Sequence, residues 1–323
     1  MKWKKVLPTA IILFLLFGLI GCTTAMGQGN LQKVGMLVDH SVHDQAWGKK
    51  GYEGLLDIKE EMNVDVYFKQ HIQSKQAARI ALKEFSDEGI NLVFGHGKKF
   101  GDYFNELHQE FPDMHFVYFN GNIQGDNMTS LNFDGYSMGF FGGMVASGMT
   151  DIEHVGVIAA FEWQPEVEGF YEGAKFQNPN TEVTIEYVNS WEDKDKAIQL
   201  YDELKEEGVD VFYPAGDGFN VPIMEAVKDD HLHSIGYVSD QSHIGESTVL
   251  TSTIQHVDQL YVIAAKLFDE GDLPDGFLTF GFQDGAISLG EFSSSVPAEL
   301  QHDLDTALEK YKETGVLPNE QSK

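Results

Sequence analysis

Residues Val34–Gly54, VGMLVDHSVHDQAWGKKGYEG, decide the fold of this chain. The apolar run Val34–Val38 is too short for a helix and is bounded by polar residues, which predicts a buried strand of a parallel sheet. Asp39 follows the strand, and a polar turn then leads through Asp44 to Trp47 at the start of a helix. In open α/β sheets, ligands bind outside the carboxyl ends of the strands. We therefore predict that these three residues meet a small solute, although a capped turn with a core tryptophan has the same pattern.

Composition limits the class of protein. The chain has 323 residues, of which 42% are hydrophobic and 33 are glycine, enough for one large or two medium globular domains. The formal net charge is −29, and no basic patch follows the first few residues. Since nucleic-acid phosphates would be repelled over the whole surface, we expect no nucleic-acid partner.

The first 22 residues have the pattern of a secretory leader. Three lysines precede the apolar run Ile11–Ile20, whose length and flanks are typical of a secretory signal. The run ends in Leu19-Ile20-Gly21-Cys22, which resembles the bacterial lipobox, and Cys22 is the single cysteine of the chain. We predict a lipoprotein signal peptide over 1–22, lipidation of Cys22, a short tether over 23–32, and a location on the extracytoplasmic face of the cell membrane. An uncleaved signal anchor is the alternative.

Apolar runs of strand length alternate with helical patterns from Val34 to Ile254, which predicts βαβ units and parallel sheets. The chain also repeats itself. Val34-Gly35 recurs as Val155-Gly156, and Glu88–Asn91 recurs as Glu207–Asp210, a spacing of about 120 residues that is too long for a solenoid. The predicted fold class is therefore α/β, with two Rossmann-like lobes and a central ligand cleft.

The C-terminal quarter is expected to return across the cleft. Runs at Phe277–Phe282 and Ala286–Phe292 flank an Asp284-Gly285 turn, which predicts a β-hairpin, and a last helix follows at Pro297–Thr314. In two-lobe binding proteins the chain crosses between lobes three times, and the predicted crossings lie near Asn132, Thr253 and Gln283. The corresponding lobes are 33–132 with 254–283 and 133–253 with 284–318. Such crossings act as hinges that close the lobes on a ligand.

Several motifs together resemble the basic membrane protein (PnrA-like) family, whose members are substrate-binding lipoproteins of ABC importers for nucleosides. The resemblance implies a type I periplasmic binding protein-like fold. The residues that carry it are Asp39, Trp47, His115–Asn120, Phe140-Phe141-Gly142-Gly143, Val155-Gly156-Val157-Ile158, Ala215-Gly216, Asp240-Gln241 and Val249-Leu250-Thr251-Ser252. Within the family, Trp163–Val167 and Pro214–Gly218 resemble a member that positively regulates competence development.

The family resemblance implies roles for particular residues. Asp39 would bond the base and Trp47 would stack on it, while Phe161 or Trp163 would close over the other face of the base. Asp240 would contact the ribose, and Gly216 would let backbone amides approach the ligand. Asp217, in the same glycine loop, completes this set of binding candidates.

Three positions depart from the family pattern. Asn120 stands where the family usually has an acid, Gln255 where it has a lysine, and Ser137 where it often has a glutamate. Both Asn120 and Gln255 remain binding candidates, and the changes could alter which hydroxyl pattern the cleft accepts. They could equally mean that import has been abandoned.

Two functions therefore compete. The first is capture of a purine nucleoside or related small molecule for an ABC permease. The second is positive regulation of competence genes, acting indirectly from the membrane. We expect no enzymatic activity, no cofactor and no metal. His40 and His43 lie near Asp39 and Asp44, but their spacing in a turn is irregular, and Ser252 has no evident His–Asp pair.

Overall fold

The computed structural model describes residues 30–43 and 45–320. The predicted leader, Cys22, most of the tether and Asp44 lie outside the described residues. Within the described residues, the strands and α-helices occur in the order β1 (Lys33–Leu37), α1 (Ala46–Met62), β2 (Asp65–Lys69), α2 (Lys75–Asp87), β3 (Leu92–Gly95), α3 (Lys99–Leu107), β4 (His115–Phe119), β5 (Met128–Phe133), α4 (Gly135–Met149), β6 (His154–Ala159), α5 (Pro165–Gln177), β7 (Glu182–Tyr187), α6 (Lys194–Glu206), β8 (Val211–Ala215), α7 (Asn220–Asp229), β9 (His233–Val238), β10 (Val249–Gln255), α8 (Val257–Glu270), β11 (Gly276–Phe280), β12 (Ile287–Leu289) and α9 (Ala298–Thr314).

The strands form two six-stranded sheets, which confirms the predicted α/β fold with two lobes. The first sheet has the order β11-β5-β4-β3-β1-β2 and is parallel throughout. The second has the order β12-β10-β9-β8-β6-β7, and only its edge strand β12 is antiparallel. Strands β3 and β4 are buried along their whole length because helices cover both faces of the sheet.

Helix α2 shows how the sequence specifies the packing. The Ser74 side chain accepts a hydrogen bond from the Ala77 N–H at 3.2 Å and so caps the helix start. The buried side chains of the helix recur three and four residues apart, at Ala78, Ala81, Leu82 and Phe85. This stripe packs against the first sheet, where the Phe85 ring fills the space over Gly35.

Helix α4 packs closely against α5 in the second lobe. A Cβ atom on Gly139 or on Gly143 would lie 2.0 Å from the backbone oxygen of Glu166 or of Phe170, so only glycine permits this approach. Helix α4 is therefore buried on nearly every side. Among the residues that the structure describes, no helix has both the length and the apolar character required to cross a lipid bilayer.

The hairpin predicted for Phe277–Phe282 and Ala286–Phe292 is wrong. Strand β11 pairs with β5 in the first sheet, whereas β12 pairs with β10 in the second. The Asp284-Gly285 turn is present, and the Asp284 carboxylate accepts a hydrogen bond from the Gly281 N–H at 2.8 Å. The turn therefore carries the chain from one sheet to the other, because the local turn chemistry is the same for a hairpin and for a crossing.

Three such crossings lie side by side between the sheets. The chain passes from β5 to α4 at Asp134, from β10 to α8 at His256, and from β11 to β12 over 281–286. The Asp134 N–H donates to the Phe280 carbonyl at 2.8 Å, and the His256 N–H donates to the Ala286 carbonyl at 2.8 Å. Each of the first two crossings is thus bonded to the third, so the three segments form one connected group where hinges are predicted.

Candidate functional site

A cavity of about 470 Å³ lies between the carboxyl ends of the two sheets. This is where ligands bind in parallel α/β folds. The structure brings seven of the predicted site residues to its wall: Asp39, Trp47, Asn120, Phe161, Trp163, Asp217 and Gln255. Sequence reasoning missed other residues of the wall, among them His40, Gln45, His96, Lys98, Lys99, Trp191, Glu192 and Tyr237.

Trp47 forms the aromatic face of the first lobe. Its ring stacks on the His96 imidazole, with centroids 4.9 Å apart and planes at 24°, and meets Phe119 edge-on at 5.8 Å. His96 Nε2–H donates to the Trp47 carbonyl at 2.8 Å, and the Tyr261 hydroxyl donates to Nδ1 at 2.9 Å. Burial lowers the pKa of His96 to about 4, so the imidazole is neutral near pH 7 and both ring nitrogens are already bonded.

Phe161, Trp163 and Trp191 form the aromatic face of the second lobe. The Phe161 and Trp163 rings stack at 5.6 Å with planes at 15°. Trp191, which is not among the predicted binding residues, lies edge-on to both rings at 5.5 and 5.9 Å and lines the cavity. It lies in the loop after strand β7, as Trp163 lies in the loop after β6, and this position after a strand is the signal that could have identified it.

A buried polar network fixes the loop beneath this aromatic face. The Gln164 side chain accepts from the Phe161 N–H at 2.7 Å and donates to the Ala215 carbonyl at 3.0 Å and to Glu166 at 2.8 Å. The Tyr237 hydroxyl also donates to Glu166, at 2.8 Å. Burial, and then the charge of Glu166, raise the pKa of Tyr237 well above its ordinary value, so this hydroxyl keeps its proton.

Asn120 and Val238 end strands β4 and β9 with left-handed backbones, at φ of 56° and 68°. A β-branched residue in this conformation is strained, and such strain tends to collect at functional sites. Both residues line the cavity. The Asn120 side-chain amide has no hydrogen-bond partner among the residues that the structure describes, so it is available to a ligand.

The charges on the cavity wall are largely paired with one another. Asp39 Oδ2 lies 3.0 Å from Lys99 Nζ and 3.4 Å from His40 Nε2. The Asp39 carboxylate is thus already partnered before any ligand enters.

Gln255, at the second crossing, is buried, and its amide nitrogen lies 3.8 Å from the Met138 sulfur.

Four contacts join the two lobes across the cavity. The Trp47 N–H donates to Asp217 Oδ2 at 2.8 Å, and Lys98 Nζ lies 3.7 Å from the centre of the Trp163 ring. Glu192 Oε1 accepts from the Gln45 amide at 3.3 Å and lies 3.3 Å from His40 Nδ1. These bonds hold the lobes in a closed arrangement.

The structure does not bring two of the other predicted residues to the cavity wall. Gly216 is absent from it, and a Cβ atom there would lie 2.1 Å from the Phe219 ring, so packing within the lobe requires the glycine. Asp240 is exposed, and its carboxylate accepts from the Ser242 N–H at 2.9 Å. Over residues 30–43 and 45–320, no three His, Cys, Asp or Glu side chains are grouped as metal ligands.

Comparison with known proteins identifies the family. A family model described as ABC transporter substrate-binding protein PnrA-like matches residues 31–321. The transcriptional activator protein Med of Bacillus subtilis (strain 168) is 44% identical over 308 residues, which cover 95% of this chain and 97% of the relative. A purine-binding protein of Brucella abortus (strain 2308) is 25% identical, over 78% of this chain and 71% of the relative.

A solved structure shows the same relationship. The crystal structure of a transcriptional activator of the comK gene from Bacillus halodurans has a TM-score of 0.83 and 53% identity, covering 88% of this chain and 99% of that one. The predicted resemblance and the type I periplasmic binding protein-like fold are therefore confirmed. The chain belongs to the PnrA-like family of ABC transporter substrate-binding proteins.

Proposed function

We propose that this chain is a non-enzymatic, lipid-anchored binding protein that captures a neutral purine nucleoside or a close relative between its lobes. The lobes close on the ligand, and the closed form delivers it to an ABC permease. Membership of a substrate-binding family supports this proposal, as does the 25% identity to a purine-binding protein.

One observation carries the proposal: each lobe presents an aromatic face to the same cavity. Trp47 lies on one side, and Phe161 with Trp163 and Trp191 on the other. Stacking on such faces contributes about 1–3 kcal/mol per base. The cavity also falls in the range of about 300–1,000 Å³ that is typical of small-molecule sites.

The charges of the site favour a neutral ligand. Lys99 and His40 lie against Asp39, the lysine at 3.0 Å, and backbone N–H groups bond Asp217. Because these charges are already compensated within the protein, a charged ligand would leave an unpaired buried charge. The Asn120 amide, which has no side-chain hydrogen-bond partner in the described part of the chain, supplies both a donor and an acceptor for a ligand heteroatom or hydroxyl.

The arrangement does not favour catalysis. His96 is the buried imidazole of the site, and its two nitrogens are occupied by Trp47 and Tyr261. An imidazole can act as a general base only through a ring nitrogen that is free to reach the substrate. We therefore propose binding without turnover.

Regulation is the second candidate function, and two identities favour it. The relatives at 44% and 53% identity are both transcriptional activators by name. A net charge of −29 opposes direct binding to DNA, so regulation would act through a membrane partner that recognises the closed lobes. Asn120 and Gln255, which depart from the family pattern, are consistent with a ligand that is sensed rather than imported.

The anchor rests on the leader sequence. Three lysines, a short apolar run and the lone Cys22 at the end of a lipobox-like motif support export and lipidation at Cys22. We propose that the chain is held on the extracytoplasmic face of the cell membrane.

Binding can be tested with the full chain in mild detergent. Adenosine, guanosine, inosine, uridine and ribose would each be titrated while tryptophan fluorescence is recorded. We expect saturable binding of a purine nucleoside by the wild type, binding weakened by about 1–3 kcal/mol in Trp47→Ala, and substantial recovery in Trp47→Phe. Tyr103→Ala, which alters a ring outside the cavity, is the matched control. Failure of all five compounds to bind, or unchanged binding in Trp47→Ala, would refute the nucleoside proposal.

A further assay separates import from regulation. Cells that lack the chain would be compared with wild-type cells for uptake of the labelled nucleoside and for expression of a competence-gene reporter. Loss of uptake alone supports the importer, whereas loss of reporter expression with normal uptake supports the regulator.

A further inference from the structure

We propose that Asp217 is the closure residue of this protein: its carboxylate caps the first helix of the opposite lobe and so positions Trp47 when the lobes close. This inference deepens the proposed function, because Trp47 is the aromatic face that a ligand would meet. It assigns Asp217 a positioning role, although the sequence had placed this residue among the ligand contacts.

Among the residues that the structure describes, no side chain of the first lobe caps the start of helix α1. Its N-cap residue, Gln45, has an extended backbone, and the Gln45 side chain makes no capping hydrogen bond. That side chain donates instead to Glu192 across the cavity. Other helices are capped within their own lobe, as α6 is by Asp193, which accepts from the Lys196 N–H at 3.0 Å. The first-turn donors of α1 therefore need an acceptor from elsewhere.

Asp217 supplies that acceptor from the second lobe. Its carboxylate accepts from the backbone N–H groups of Trp47, at 2.8 Å, and of Ala46. An anion at this place also interacts favourably with the partial positive charge at a helix start. Asp217 follows β8, and the backbone of its loop is tightly packed, since a Cβ atom on Gly218 would lie 2.3 Å from the Trp191 carbonyl oxygen. A firmly held loop thus presents the carboxylate to the opposite lobe.

Trp47 is consequently held at both ends of its backbone. Asp217 bonds its N–H from the second lobe, and His96 bonds its carbonyl from the first. Because the donor and the acceptor of the first bond belong to different lobes, that bond exists only when the lobes are closed. Closure and the placement of the Trp47 ring are therefore one event.

The test measures closure directly and needs no ligand. Hydrogen–deuterium exchange of the full chain in detergent would be followed by mass spectrometry in a peptide that contains the Ala46 and Trp47 amides. We expect Asp217→Ala to speed exchange of these amides by about 2- to 30-fold, the range for loss of a helix cap. Asp217→Asn keeps an acceptor oxygen and should stay within about threefold of the wild type.

Asp193→Ala is the matched control, because it removes the same kind of cap within a single lobe. It should speed exchange at the start of α6 and leave the Ala46 and Trp47 amides unchanged. Strand β3 should remain protected in every variant and so report that the chain is folded. Unchanged α1 exchange in Asp217→Ala, or equal acceleration in Asp193→Ala, would overturn the inference.

Adding adenosine distinguishes this inference from the proposed function. If both hold, adenosine slows α1 exchange in the wild type and in Asp217→Asn, and binds Asp217→Ala about 2- to 30-fold more weakly. Adenosine could leave α1 exchange unchanged while the variants without ligand exchange as expected above. In that case the nucleoside assignment fails and the closure role of Asp217 stands. If Asp217→Asn loses adenosine binding while its ligand-free exchange is normal, Asp217 is a ligand contact and the inference fails.

Discussion

Lowering the pH from 7.5 to 5 should favour the closed form, because Asp217 takes up a proton as the lobes close. Burial raises the pKa of this carboxyl from 3.8 to about 6, and the backbone N–H groups of Trp47 and Ala46 offset only part of that effect. Opening the lobes returns Asp217 to water and to its ordinary pKa. Since the closed form binds the proton more tightly, it becomes more stable relative to the open form as the pH falls through about 6. This added stability is lost as the pH rises again.

The magnitude follows from these two pKa values. Each pKa unit corresponds to about 1.4 kcal/mol, so full protonation of Asp217 would favour closure by about 3 kcal/mol. At pH 5 Asp217 is mostly protonated in the closed form and mostly ionised in the open form. Compared with pH 7.5, closure is therefore favoured by about 1.4 kcal/mol. A ligand that requires closure should thus bind about tenfold more tightly at pH 5 than at pH 7.5.

The assay is a pair of titrations with the nucleoside that binds most tightly, at pH 7.5 and at pH 5. His40, Glu192, Tyr237 and Lys98 also face the cavity, so the effect of Asp217 is the difference between the wild type and Asp217→Asn. We expect the tenfold gain in the wild type and its loss in the variant. An equal gain in both proteins, or tighter binding at pH 7.5, would refute the reasoning.

Three further outcomes are expected. Trp47→Ala should weaken nucleoside binding by about 1–3 kcal/mol, measured by calorimetry, whereas Trp47→Phe should retain most of it; equal affinities would contradict the stacking role. Gly218→Ala should lower the free energy of unfolding in urea by about 1–3 kcal/mol, because its Cβ would lie 2.3 Å from the Trp191 oxygen, while Gly142→Ala, which meets only side chains at 3.3 Å and beyond, should cost less. Cys22→Ser should move the chain from the membrane fraction to the soluble or secreted fraction in an immunoblot, and an unchanged distribution would argue against lipidation.

The sequence predicted the fold because local patterns repeat along the chain. Alternating strand and helix signals are enough to give parallel sheets, and the repeat near 120 residues gave the second lobe. Gly89 and Gly208, which end equivalent helices, have the left-handed backbones, at φ of 75° and 98°, that a glycine cap requires. The partner of β11 was not predictable in this way, since only the tertiary fold determines which sheet an isolated strand joins.

The site residues that the sequence predicted lie at strand ends or in the loops and helix starts that follow them. Asp39, Trp47 and Asn120 were found in this way, and they line the cavity. His96 also follows a strand but was missed, because its role depends on Tyr261, far away in the sequence. The partner of Asp217 could not be predicted from the sequence for the same reason, since the hydrogen bond joins residues 170 positions apart.

The return of the chain through both lobes has a consequence for folding. The first sheet lacks an edge strand until residues 276–280 are made, and the second until residues 287–289 follow. Neither half is therefore a module that can mature while the other is still being synthesised. A chain cut short near residue 275 would lose a strand from both sheets at once, so truncated products should expose unpaired edges and become substrates for proteases.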